Sequence, residues 1–241
     1  MYHLKYTDGW FAFAIGFIAF LSIFSDATAQ NPKVSASVEF SCVIWNKLPY
    51  ETLYYRQDGE YLPLKLSPNN RSPLYDLSGM EAFELYIPGL DETGQPAYKL
   101  VGQSALLPDV RRLLFFIVER PKDSGLPLGL LGIDDSLNTF PPGTTRFVNM
   151  SSEPLVVSYG DKNTLIPIRS MKNVKSNAPA KGGFMPFLVT DEQGDRVYET
   201  RLMSRPTGRD MVFILPSERR DRSVELKFIP QIIPPNQSVE E

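Results

Sequence analysis

From Val34 onward the apolar residues fall in short runs with period-two alternation, rich in Val, Ile, Tyr and Phe, and Gly, Pro, Asn and Asp clusters interrupt them. That spacing puts alternate side chains on opposite faces of an extended chain and leaves no length for a helical stripe. The nearest helical candidate is Ser78 to Tyr86, where Met80, Phe83 and Tyr86 lie three apart, but Pro88 and Gly89 follow at once. A strand is the better reading there. The pattern predicts an all-β chain. Expected strands in its first part are Val34 to Trp45, Thr52 to Arg56, Glu60 to Leu66, Ala82 to Ile87, Tyr98 to Val101 and Arg112 to Glu119. A second series covers Thr145 to Asn149, Leu155 to Tyr159, Thr164 to Arg169, Met185 to Thr190, Val197 to Leu202, Met211 to Leu215 and Val224 to Phe228.

The two series echo one another. Asp91-Glu92-Thr93-Gly94 with Tyr98 beyond it recurs as Asp191-Glu192-Gln193-Gly194 with Tyr198, each placed as a hairpin turn between apolar strands. Pro108, Arg111 and Phe115 recur at the same spacing as Pro206, Arg209 and Phe213. Upstream, Asn46, Leu53 and Leu62-Pro63-Leu64 are echoed by Asn149, Leu155 and Ile166-Pro167-Ile168. Two tandem immunoglobulin-like β-sandwich modules are expected, at 34–120 and 144–230, because about ninety residues close a sandwich of this kind. The stretch 121–143 between them holds Pro141-Pro142-Gly143 and reads as a linker. Its middle, Leu126 to Ile133, is too apolar to stand in water and is expected to pack on a module or pair as an edge strand. Residues 231–241 turn to Pro, Gln, Asn, Ser and Glu, the composition of a disordered tail.

At the other end, Lys5 precedes an apolar run from Trp10 to Phe24, and Ala27-Thr28-Ala29 matches the small-residue site of a signal peptidase. Residues 1–29 are therefore expected to be a signal peptide, leaving no membrane span once removed; the apolar run is short for a bilayer of about 30 Å. The only histidine of the chain is His3, inside that segment. A mature chain starting at Gln30 has no imidazole for a catalytic triad, a general base or a His-ligated metal. Cys42 is the single cysteine and alternates with Val38, Phe40 and Ile44, so it is expected to be buried and inert. A net charge of −3 over 241 residues carries no basic footprint for nucleic acid. No metal, cofactor or nucleic-acid partner is expected.

Carboxylate chemistry stays open. Glu81 with Glu84, or Glu51 with Asp58, are candidate pairs for a glycan hydrolase, although spacing singles out neither. Asp134-Asp135 reads as a solvated loop pair, Lys181-Gly182-Gly183 as a turn without the spacing of a phosphate loop, and Arg219, Arg220 and Arg222 as a charged turn. The halves differ most around the first hairpin. Trp45, Tyr50, Tyr54, Tyr55 and Tyr61 cluster there, where the second half has Val156, Val157 and small polar residues. Trp45, Tyr54, Tyr55 and Tyr61 are the candidate binding residues, since rings offer large contact area on few rotatable bonds. Adjacent Tyr54 and Tyr55 must face opposite ways on a strand.

As architecture, with no family motif matched residue by residue, this layout resembles exported tandem β-sandwich proteins of bacteria. It is also similar to the pilus-assembly periplasmic chaperones, which use a basic anchor between domains and an exposed strand; no residue here is assigned that anchor. The resulting expectation is an exported, non-enzymatic protein of the periplasm or cell surface that binds an envelope protein or a glycan. A pilus-type chaperone and a carboxylate-dependent glycan hydrolase are the alternatives. Exported material should begin at Gln30 on N-terminal sequencing, and a full-length, membrane-retained product would contradict the processing site.

Overall fold

The computed structural model describes residues 38–77, 79–175, 182–217 and 223–233. The expected signal peptide 1–29, Lys181 and the Arg219, Arg220 and Arg222 run lie outside them, as does the expected 231–241 tail from residue 234 on; its first two residues, Gln231 and Ile232, instead end a strand, and Ile233 is buried. All regular structure among the described residues is β. The first body contains β1 (Glu39–Ile44), β2 (Tyr54–Gln57), β3 (Glu60–Pro63), β4 (Tyr75–Asp76), β5 (Ala82–Leu90), β6 (Pro96–Ala105), β7 (Arg112–Glu119) and β8 (Leu128–Asp134). The second contains β9 (Thr144–Asn149), β10 (Leu155–Tyr159), β11 (Lys162–Ile166), β12 (Met171–Lys175), β13 (Gly183–Thr190), β14 (Arg196–Ser204), β15 (Gly208–Pro216) and β16 (Val224–Ile232).

Each body is a sandwich of two four-stranded sheets, and the strand order repeats. The order β4-β1-β7-β8 over β3-β2-β5-β6 becomes β12-β9-β15-β16 over β11-β10-β13-β14. In both bodies the first strand runs parallel to the seventh, β1 beside β7 and β9 beside β15. Local chemistry sets the hairpins. Asp58-Gly59 joins β2 to β3 with both residues at positive φ, 50° and 85°, the two-residue turn whose twist matches its strands. The Asp91 carboxylate accepts hydrogen bonds from the Thr93 and Gln95 amides, and Asp191 accepts one from Asp195, so both β5–β6 and β13–β14 turns are closed by an aspartate at the same place.

Two strands escape the sequence pattern: β4 is two residues long, and β12 has only the exposed Met171 and the buried Val174 as apolar residues. The apolar middle of the 121–143 stretch forms β8, an edge strand that pairs antiparallel with β7 as expected, so the connection between the bodies is the short segment from Asp135 to Gly143.

Leu113, Phe115 and Ile117 of β7 point into the core of the first body, with Phe40, Cys42, Phe83 and Leu85. Burial leaves the Cys42 thiol free and pushes its pKa up. Phe147, Val212 and Ile214 do the same in the second body. Alternate residues of these same strands, Leu114 and Phe116 on one side and Val148, Met211 and Phe213 on the other, meet in a third core with Val43, Ile133, Phe140 and Ile229. The two bodies thus pack sheet against sheet, and the molecule has four layers. Both faces of β7 and β15 are covered, which is why Leu113 to Val118 and Met211 to Leu215 are continuous apolar runs. The Phe115 and Phe213 correspondence expected from spacing is consequently out of phase. Phe115 faces its own body's core and Phe213 faces the neighbouring body, since a one-residue offset reverses the face of a strand.

Asp134-Asp135 is not a solvated pair. Asp135 is buried at the end of β8 and takes a bidentate contact from Arg71 at 2.6 and 3.1 Å and a third from Arg209 of β15 at 2.8 Å. Arg209 is itself fully buried, also donating to the Phe140 carbonyl at 2.7 Å and to Gln231 at 2.7 Å. Burial pushes its guanidinium down to about 10 while Asp135 works against that shift, so it stays charged at neutral pH. Arg146 of β9 donates to the Asp134 and Thr139 carbonyls, and the Arg146 and Arg209 guanidinium carbons lie 4.3 and 4.9 Å from the Phe140 ring centroid. Replacing Asp135 with Ala strands buried guanidinium charge and should cost about 3–5 kcal/mol, read as a lower urea midpoint; a loss of only a few tenths would show that this carboxylate does not join the bodies.

Candidate functional site

The outer face of the β3-β2-β5-β6 sheet, on the far side from the second body, carries a cluster of tyrosines. Strand parity places them. On β2, Tyr55 points inward, 4% exposed and edge-on to Phe40 at 5.1 Å, so Tyr54 points outward. Tyr55 is opposite Leu62, which packs on the core, and this turns Tyr61 of β3 outward. Phe83, Leu85 and Ile87 of β5 face the core, leaving Glu84 and Tyr86 on the outer side. Tyr98 of β6 is opposite Pro88 and shares that side.

The rings touch in a continuous set. Tyr61 and Tyr98 stack with centroids 3.9 Å apart and planes 10° apart; Tyr54 meets Tyr98 edge-on at 5.2 Å and Tyr86 meets Tyr61 edge-on at 5.0 Å. Tyr98 is the most open, 38% exposed. Polar groups border the rings. The Tyr86 hydroxyl donates to one oxygen of Glu84, and Gln103 donates to the other at 3.1 Å. Burial and the Glu84 contact push the Tyr86 phenol up to about 12, and the charge of exposed Arg56 acts in the opposite sense. The assembled surface has aromatic area, a carboxylate, an amide and a guanidinium, which suits recognition of a partner by stacking and hydrogen bonding.

Of the four residues singled out from sequence, Tyr54 and Tyr61 come together here. Tyr55 is a core residue, packed also against Tyr75. Trp45 is elsewhere, in the seam between the bodies, 5.4 Å from Phe116 and 4.7 Å from Phe213, with the Lys227 ammonium 5.3 Å from its ring. It follows β1 directly and lies on the side opposite the tyrosines because β1 belongs to the inner sheet. Tyr86 and Tyr98 are the members that sequence reading missed. Tyr86 was legible from parity, two residues from Glu84 and out of step with Phe83, Leu85 and Ile87.

The sequence repeat pairs Tyr98 with Tyr198, and the structure separates them. Tyr198 is opposite Val189 and packs on the core of the second body. The register shift of the second hairpin falls at Val189/Thr190, before Tyr198 is reached, whereas that of the first falls at Leu85/Tyr86, after Tyr98. One bulge on the turn side of the tyrosine reverses its face. The outer positions of the second body hold Val156, Ser158 and Leu188 in place of the rings. No known protein family matches the chain, and neither does any curated protein.

Tyr86 has a pH signature. The unfolded chain loses this proton near pH 10.0 and the folded chain near 12, so the stability tied to the protonated phenol is intact below pH 10 and falls as the pH climbs through that window. Urea unfolding between pH 10 and 12 should give a shallower fall for Tyr86→Phe than for the parent, and equal slopes would place Tyr86 in ordinary solvent.

Proposed function

We propose that this is an exported, non-enzymatic binding protein of the cell envelope, built from two immunoglobulin-like modules, and that the tyrosine surface of the first module is where its partner docks. The observation that carries the reading is the set Tyr54, Tyr61, Tyr86 and Tyr98 in mutual contact on an outward sheet face. Tyr54, Tyr61 and Tyr98 offer ring area on a solvent-facing side, and the buried Tyr86 beneath them limits their freedom; tyrosine is enriched where binding energy concentrates. Among the described residues of the second module, which has the same strand order, Val156, Ser158 and Leu188 stand at the outer positions, so the rings are not a requirement of the fold.

Of protein and glycan partners, the border of the surface favours a glycan. Sugars combine apolar ring faces with hydroxyl groups, and Glu84, Gln103 and Arg56 supply acceptors and donors beside the rings. Glu84 is engaged by Tyr86 and Gln103, which fits a recognition role. Export rests on the 1–29 segment and its Ala27-Thr28-Ala29 site.

Tyr61→Ser and Tyr98→Ser remove a stacked ring each from a surface outside the cores, so stability should change little. Each should lower capture on a glycan array by about tenfold or more, the scale of a lost hot-spot ring. Retention of parental capture by both variants on the array, and in a pull-down against envelope extract, would move the site elsewhere.

A further inference from the structure

The two sandwiches differ at one open side. In the first body, Leu128 and Leu130 of β8 are buried against β6; a Cβ on Gly102 would lie 3.1 Å from that of Leu128, so the sheets touch and the side is shut. The matching strands of the second body, β14 and β16, stand apart around a cleft of about 260 Å³. Its walls are apolar, with Leu202 and Met203 from β14, Val212 from β15 and Phe228 from β16. Phe228 is on the inward-facing side of β16, in step with Val224 and Leu226 on the core, yet it is 41% exposed. Met203, opposite Phe184 and out of step with the buried Leu202, stands at the rim and is 47% exposed. An inward ring left open to water beside an apolar rim marks a site that something else covers.

The polar groups of the cleft identify what that is. Arg205 and Asp210 are bound to each other at 2.8 Å, and Glu199, beside Arg201 on the same face of β14, is paired with Arg196. Arg201, at the rim, has no partner among the described residues and is the uncommitted charge of the site. Tyr159 lines the cleft too, and its hydroxyl is buried with no hydrogen-bond partner among the described residues. A buried donor left idle is costly unless a ligand brings an acceptor. The volume lies below the range of about 300–1,000 Å³ typical for drug-sized ligands and suits a single flexible chain.

We propose that this cleft binds a straight-chain carboxylate, a fatty acid, with its chain between β14 and β16 and its head group held by Arg201 and accepting from the Tyr159 hydroxyl. The site is independent of the tyrosine surface, which belongs to the other body. Calorimetric titration of the whole protein with laurate, kept below its micellar concentration, should show saturable binding. Arg201→Glu reverses an exposed charge, leaves the cores intact and should weaken laurate binding about tenfold or more, while leaving the uncharged dodecanol unaffected. Phe228→Trp puts an indole on the cleft wall, and its emission should shift when laurate is added. Absence of laurate binding by the parent overturns the proposal. Equal affinity of parent and Arg201→Glu overturns it as well, since the cleft would then take a neutral apolar partner such as a peptide side chain.

Discussion

The carboxylate of Asp135 is the point on which the arrangement of the two bodies depends. It follows the last strand of the first body, and the guanidinium groups that hold it come from both halves, Arg71 before β4 and Arg209 within β15. A buried ion of either sign is tolerable only with its partner, so none of these three residues can shift without exposing the others to an uncompensated charge. Phe140 lies between Arg146 and Arg209 over the same connection, adding two cation–aromatic contacts to its hydrophobic burial. The connection is thereby part of the interior.

That clamp makes sense of the apolar third core. Ordinary sandwiches keep one face of each sheet in water, whereas here the β4-β1-β7-β8 and β12-β9-β15-β16 sheets bury both. The outer sheets are left as the available surfaces, and each body uses its own differently. One carries mutually supported tyrosines with a polar border; the other presents a mixed face with Ser158, Phe184, Leu188, Glu199 and Arg201, and an open side at β14 and β16. Where inner faces are constrained by packing, the outer ones are freer to differ, because they change without creating cavities.

Strand parity connects this arrangement to the proposed docking surface. Tyr98 and Tyr198 occupy the same place after the same aspartate-closed turn, yet one helps form a surface and the other fills a core. The difference comes from where a single extra residue enters the ladder. A bulge costs the sheet one irregular pairing and reverses every side chain beyond it, so its position is as much a determinant of the site as the residues themselves.

What the sequence determined by itself was local. Period-two patterning required strands, the Asp58-Gly59 pair and the aspartate-led turns required hairpins, and the recurrence of both along the chain required two similar bodies. The unbroken apolar runs of β7 and β15 also carried the information that both faces are covered, although not by what. Of the tyrosine surface, Tyr54 and Tyr61 were visible as an aromatic excess in one half, and Tyr86 could be read from its parity. Tyr98 could not be placed, nor Trp45 removed from the site, because sheet membership and bulge position arise from pairings between residues far apart in the chain. The burial of Asp135 was hidden for the same reason. Adjacent aspartates in a Pro- and Gly-rich stretch look solvated until the fold brings Arg71 and Arg209, each more than sixty residues distant, onto one carboxylate. Short-range geometry is written in neighbouring residues, while the energy of a buried charge depends on partners that only tertiary packing supplies.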